Sequence, residues 1–190
     1  MTRKEVESLP DEEIVALILK GQKQYFEILH KRYREKVYAK CLTMTNRTSV
    51  AEDQTQDILI KALTAIETYR GEAKYSTWLY AITYNHCVNY LRANKRIKFD
   101  DWESLLEIPD EQNEEEVLQI MDLQKDRLTL LLELLKPEDK AILVLKYWEG
   151  MELERIRYIL SIDTISALKM RLFRARKRLR GIYGRFHPAI

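Results

Sequence analysis

The stretch ELERIRYILSIDTISALKMRLFRARKRLR (152–180) decides how this chain is read. Its second part repeats Leu168, Leu172, Ala175 and Leu179 at spacings of 4, 3 and 4, the mark of a helix that buries one edge. The same part, residues 167–180, carries seven Lys or Arg and no acid, so the cations must point away from that edge. Ser166, Met170, Phe173 and Lys177 lie opposite it, flanked by Lys169 and Arg174. The first part, residues 152–160, reads as a shorter helix, and "SID" between the two reads as a turn. Two helices of unequal length joined by such a turn, the second one basic, form a helix-turn-helix pattern. Two uses of the cationic face stay open at this level: a solvated surface, or contact with an anionic partner.

Composition bounds the rest. A chain of 190 residues with 46% hydrophobic content can build one sizeable core or two small ones. Five Gly and four Pro, thinly spread among Leu, Ile, Glu, Lys and Arg, predict an all-α protein. The net charge of +2 points to no partner, but the charges are segregated: nine acids and no base in residues 100–118, eight bases and no acid in residues 169–185. Cys41 and Cys87 form no CxxC and no disulfide framework, and no signal peptide or long apolar run is present. The expectation is a reduced, cytoplasmic protein without membrane insertion.

Punctuation predicts four helices in the first half. Asp11, after Pro10, is expected to cap the first and Gly21 to end it. The second places Tyr25, Phe26, Leu29, Tyr33, Val37 and Cys41 on one face. "SVAE" (49–52) has the spacing of a capping box, opening a third helix toward Tyr69. Gly71 breaks the pattern and Ser76 is expected to cap the fourth, with Leu79, Ile82, Thr83, His86 and Tyr90 inward and Trp78, Ala81, Asn85 and Arg92 outward. Residues 98–116 are acidic, contain Pro109 and lack an apolar stripe, so they predict a flexible acidic linker; within it "WESLLEI" can dock as a local turn. From Val117 helicity resumes. Pro137 stands at the first position of a helix that Gly150 ends. Two helical domains, 11–97 and 117–186, joined by that linker, are the expected architecture.

The segment "LKPEDKAILVLKYWEGMELERIRYILSIDTISALKMRLFRARKRLR" resembles region 4 of sigma-70 family transcription initiation factors, in the extracytoplasmic-function (ECF) group. The first half resembles the same family independently. "AEDQTQDILIKAL" is similar to the region 2.2 signature, carried by Asp53, Gln56 and Asp57, and "YRGEAKYSTWLYAITYNHCVNYLR" to regions 2.3 and 2.4. Both halves match in order across about residues 11–183. This chain departs from the family pattern at several points: Arg157 stands where an Ala usually packs and Ser161 where the turn usually has Gly. Residues 163–169 are one longer than the common spacing, Ala81 replaces a frequent Arg, and Asp57 a commoner Glu.

The resemblance implies a factor that binds core RNA polymerase and directs it to promoters by minus-10 and minus-35 recognition, assisting promoter melting. It implies that Asp53, Gln56 and Asp57 dock on the beta-prime clamp helices; read alone, they are equally an ordinary solvated face. The beta flap, promoter DNA and an anti-sigma factor are the other implied partner classes. Tyr69, Arg70, Tyr75, Trp78, Asn85 and Arg92 are the candidates for minus-10 DNA. An aromatic there can stack on an unpaired base while an amide bonds a base edge, although Trp78 by itself also reads as partly buried core. For minus-35 DNA, Thr164, Ser166, Lys169 and Arg171 lie near base edges, Arg171 with a second role as a brace. Arg174, Arg176, Lys177 and Arg178 lie further along, where they reach phosphate or stay solvated. A stand-alone helix-turn-helix repressor or activator is the alternative. An enzyme is not indicated: His30, His86 and His187 are far apart in the sequence, and H-E-x-x-H, P-loop and GxGxxG motifs are absent. No cofactor or metal is expected.

Overall fold

The computed structural model describes residues 2–94, 114–123 and 125–186. Regular structure among them is helical, with no strand, as the scarcity of Gly and Pro predicts. The chain divides into two compact units, Met1–Cys87 and Val88–Ile190.

The first unit contains α1 (Arg3–Glu7), α2 (Asp11–Leu19), α3 (Phe26–Thr45), α4 (Thr48–Thr64) and most of α5 (Tyr75–Asn94). Helices α3 and α4 are its principal pair, and the chain reverses between them at Asn46, which is left-handed with φ 53°. Asn tolerates that conformation because its short polar side chain bonds locally. Phe26, Leu29, Tyr33, Val37 and Cys41 form the buried stripe of α3 that their spacing predicts, with Tyr25 half-buried at its margin. Ala51, Ile58, Leu59 and Ala62 face them from α4. Cys41 and Cys87 are buried thiols, not joined in a disulfide, with their Sγ atoms 3.7 Å apart.

The helix starts differ from the sequence reading. Helix α2 has Pro10 as its N-cap, with no side-chain cap, because the Asp11 carboxylate accepts from Arg32 at 2.5 Å and from the Tyr33 hydroxyl. Helix α4 starts at Thr48 with Arg47 as N-cap, so Ser49 lies inside it and the expected box does not form. A capping box does form at Thr2 and Glu5. Ser76 likewise lies inside α5, and the first N–H of that helix, on Tyr75, donates to Glu12 Oε1 at 3.0 Å. An acid from a distant helix thus satisfies a donor that a local cap usually takes. The buried face of α5 is also rotated from the expected one: Tyr75, Trp78, Leu79, Tyr80, Thr83, Tyr84 and Cys87 are buried, whereas Ile82, His86 and Tyr90 are half-buried.

The second unit contains α6 (Glu114–Met121), α7 (Lys125–Glu133), α8 (Pro137–Leu143), α9 (Leu153–Ile159) and α10 (Ile165–Phe186). Pro137 sits at the start of α8, where its missing N–H has no partner to lose. A π-helical turn, Val144–Trp148, continues α8, and Gly150, at φ 61°, ends it. Leu168, Leu172, Ala175 and Leu179 are buried, the edge that their spacing predicts, and α10 packs through it against α6, α7, α8 and α9. Of the expected linker, residues 98–113, including "WESLLEI", lie outside the described residues, as does His187; α6 starts at Glu114.

Two ion pairs flank the buried edge of α10. Arg178 meets Asp139 of α8 at 2.8 Å, with side chains only 17% and 11% exposed, and Arg180 meets Glu116 of α6 at 2.5 Å. Burial pushes the Asp139 carboxyl above its ordinary range, and Arg178 pulls it back. Removing one partner of such a pair strands the other charge. Arg178→Ala is therefore expected to destabilise the chain by roughly 3 kcal/mol at neutral pH. A carboxyl whose folded pKa exceeds its unfolded one contributes less stability as pH rises. The deficit should thus shrink on acidification, as the stranded Asp139 takes up a proton in the folded state. Urea unfolding of wild type and variant across pH 4 to 8, roughly the span over which a raised carboxyl titrates, checks both the size and the sign.

Candidate nucleic-acid interface

In the second unit the site is built on the ends of α9 and α10. Helix α9 closes with Ser161 left-handed at φ 51°. The Ser161 N–H donates to Tyr158 O at 3.1 Å and the Ile162 N–H to Arg157 O at 3.0 Å, a Schellman closure with Ser where Gly is usual. A Cβ in that region costs about 1 kcal/mol or more. Ile162 is buried and anchors the turn. Thr164 then caps α10, its Oγ1 accepting from the Ala167 N–H at 3.0 Å. That side-chain bond occupies one of the groups expected at base edges.

The cations of α10 fall into two sets. Lys169, Arg171 and Arg174 are exposed, together with Ser166. Arg176 and Lys177 are half-buried, and Arg176 Nη1 lies 3.5 Å from the Tyr147 hydroxyl. Arg178, expected at phosphate or in solvent, is instead held by Asp139, and Arg180 by Glu116. Arg178 and Arg180 flank the buried edge at positions where α8 and α6 supply acids. The basic helix is therefore exposed cation in its first half and partly structural in its second.

In the first unit Asp53, Gln56 and Asp57 are all exposed on α4, on one side because they are spaced i, i+3, i+4. The next position on that side is Ile60, 63% exposed, which the sequence reading passed over. An apolar side chain in an otherwise polar row was the available signal. His86 of α5 lies close by; burial first and then Lys61 lower its pKa, with Asp57 acting in the opposite direction.

The minus-10 candidates separate by burial. Arg70, Asn85 and Arg92 are exposed. Tyr69, Tyr75 and Trp78 are buried, which corrects the outward placement of Trp78. Their rings interlock: Trp78 lies 5.7 Å from Tyr69 and 5.6 Å from Tyr75, and Tyr75 lies 5.4 Å from Tyr33. The Tyr69–Trp78 and Tyr33–Tyr75 pairs meet edge to face and Tyr75–Trp78 is tilted, contacts that add to burial. The Tyr69 hydroxyl donates to Ala73 O at 2.8 Å, bridging a loop in which Gly71 takes φ 74°. Burial raises the Tyr75 phenol well above its ordinary pKa, and Asp11 adds to the shift. The aromatic block is therefore neutral and dry, with Arg70 and Asn85 outside it.

Comparison with known proteins bears on both units. A family profile described as Sigma-70 region 2 matches residues 29–97. The ECF RNA polymerase sigma-E factor of Haemophilus influenzae is 31% identical over 186 residues, covering 91% of this chain and 95% of that protein. The sigma-E factor of Escherichia coli K12 is 30% identical over 189 residues, covering 91% and 94%. Among solved structures, CnrH, in complex with the cytosolic domain of CnrY, aligns with a TM-score of 0.62 at 19% identity, covering 92% of this chain and 97% of that one. The sigma factor RpoE of Bartonella quintana, in complex with the anti-sigma factor NepR, aligns at 0.56 with 21% identity, covering 83% and 96%. At those identities the two structures speak to the fold alone. A stand-alone helix-turn-helix regulator does not account for the match of residues 29–97. The chain belongs to the ECF group of sigma-70 family RNA polymerase sigma factors, whose members are transcription initiation factors rather than enzymes, and it directs RNA polymerase to promoters.

Proposed function

We propose that this sigma factor divides its work between two domains: residues 11–97 bind core polymerase and the minus-10 element, and residues 117–186 bind the minus-35 element. The acidic stretch ahead of Glu114 tethers them, since residues 114–116, expected in that stretch, belong to α6. The observation that carries this reading is the separation of exposed surfaces. An acid-amide row with one apolar residue lies on α4, and a cationic row lies on the first half of α10. The factor has no catalysis and no cofactor of its own, and it acts in the cytoplasm with polymerase.

Asp53, Gln56 and Asp57 contact the beta-prime clamp helices, with Ile60 as an apolar anchor among them, since interfaces gain most from a desolvated centre with charged neighbours. The second domain contacts the beta flap. At the minus-10 element Arg70, Asn85 and Arg92 make the outer contacts. Tyr69, Tyr75 and Trp78 form the wall behind them, which an unpaired base reaches when the loop at 70–74 moves. Unpairing costs a few kcal/mol, which stacking and an amide contact offset. At the minus-35 element Thr164, Ser166, Lys169 and Arg171 lie nearest the bases, while Arg174, Arg176 and Lys177 hold phosphate. An anti-sigma factor is a further partner class, suggested by the RpoE–NepR complex.

Charge reversal at Asp53 and Asp57 together is expected to weaken core-polymerase binding by about 3 kcal/mol, on the order of 100-fold. Both residues are exposed, so thermal stability should hold. Pull-down with core polymerase alongside a melting curve reads the two, and undiminished capture by the double variant overturns the assignment. A second pair of variants separates base reading from phosphate holding. Lys169→Ala should relax preference at one or two positions at a cost of about 1–3 kcal/mol. Lys177→Ala should weaken all sequences alike and lower the salt slope by about one. Holoenzyme binding to promoter and minus-35-scrambled duplexes over a salt series distinguishes them. The converse pattern moves the register of α10 on DNA.

A further inference from the structure

The turn between α9 and α10 is reached by a side chain of α9 whose role the two proposed DNA surfaces leave unexplained. Arg157 is half-buried near the end of α9. Its Nη1 lies 3.4 Å from Ile162 O and 3.3 Å from Asp163 O, while its Nε donates to Glu154 at 3.0 Å. Its own carbonyl accepts the Ile162 N–H at 3.0 Å. One residue thus grips the turn from both ends: through its backbone it closes α9, and through its guanidinium it reaches the carbonyls on the far side.

The turn has reason to need holding. Ser161 adopts φ 51° without the freedom of Gly. Thr164, the cap of α10, directly follows Asp163, so the direction in which the chain leaves Asp163 sets the direction in which α10 begins. Individually the two bonds to carbonyls are long, and they add little to stability. They come, however, from a planar group with several fixed N–H directions, which restricts orientation more than a single flexible donor does.

We propose that Arg157 is a positioning residue for promoter reading: its guanidinium fixes the angle at which α10 presents Ser166 and Lys169 to the minus-35 bases. This rests on the reading of α10 given above. A direct phosphate contact by Arg157 is the competing use, because the first helix of such a unit crosses the backbone, and the two make opposite forecasts for Lys. Lysine keeps the charge but not the planar fork, so it should rescue a phosphate contact and fail to rescue a clamp. Glycine at 161 removes the conformational strain at the turn and should repair a lost clamp in part.

The test uses holoenzyme reconstituted from the full chain, with a promoter duplex mapped by in vitro transcription and the same duplex scrambled at minus-35. For Arg157→Ala and Arg157→Lys the ratio of promoter to scrambled affinity should fall roughly tenfold, the effect of misplacing one base contact. Their salt slopes should stay at the wild-type value. Arg157→Ala combined with Ser161→Gly should recover the ratio to within about threefold of wild type. A ratio unchanged in Arg157→Ala overturns the proposal. So does an equal loss on both duplexes with a salt slope lower by about one that Lys restores, which assigns Arg157 to phosphate. If Arg157→Ala loses helix content by circular dichroism and Arg157→Lys restores both fold and ratio, the role is stability and the proposal fails. Failure of wild-type holoenzyme to distinguish the two duplexes removes the minus-35 reading itself, and the proposal with it.

Discussion

A helix can bury only one edge, and in α10 the residues at 168, 172, 175 and 179 occupy it. Everything else about the second unit follows from where that edge runs. Side chains at 169, 171 and 174 are exposed. Those at 178 and 180 border the edge, where α8 and α6 place Asp139 and Glu116 against them. Charge is thus spent in two ways along a single run. Near the start of the helix it is available to an anionic partner, and near the end it fixes the neighbouring helices. Neither a count of cations nor helical phase distinguishes these uses, since Arg171 and Arg178 lie seven apart on one side of the helix; the acids that α8 and α6 bring alongside do.

The first unit solves a different problem. Opening DNA calls for a surface that can receive a flat, unpaired base, yet a large exposed aromatic patch invites nonspecific association. Here the rings of Tyr33, Tyr69, Tyr75 and Trp78 are packed edge to face and buried. The polar Arg70 and Asn85 stand outside. The rings face the short bridged loop through Tyr69 and Ala73. Stacking surface is therefore kept under cover behind a segment held by few bonds.

Much of this was legible in the sequence, and most of the misses share a cause. The stripes of α3 and α10 were legible because period and burial coincide over many turns, so a single misplaced residue does not alter the pattern. The helix-turn-helix and the placement of Pro137 followed from local chemistry alone. Asp11 and Ser76 were misread as caps because local rules assume a local partner, and Ser49 because α4 begins one residue earlier, at Thr48. Asp11 takes Arg32 and Tyr33 on α3, and the start of α5 takes Glu12 from α2. Spacing could not reveal either long-range bond. The rotation of the buried face of α5 has the same origin: aromatic residues at 75, 78, 80 and 84 outcompeted the aliphatic-looking stripe that period alone suggested. In the site, Arg178 was misassigned because its acid lies 39 positions away in sequence, and Arg157 looked like a departure until its carbonyl partners were visible.

The bond from the Tyr75 N–H to Glu12 spans 63 positions of sequence, and it joins the opening segment of the chain to the root of the loop that covers the aromatic block. Such a bond makes the amino-terminal end a remote handle on the face proposed for minus-10 DNA. A protease that trimmed the chain between α2 and α3 would leave the α3–α4 pair whole while releasing the first turn of α5. A bulky fusion placed just ahead of α1 would press on the same point. Mutational surveys of promoter opening in this protein should thus find sensitive positions at 11 and 12, far in sequence from every residue proposed to touch DNA.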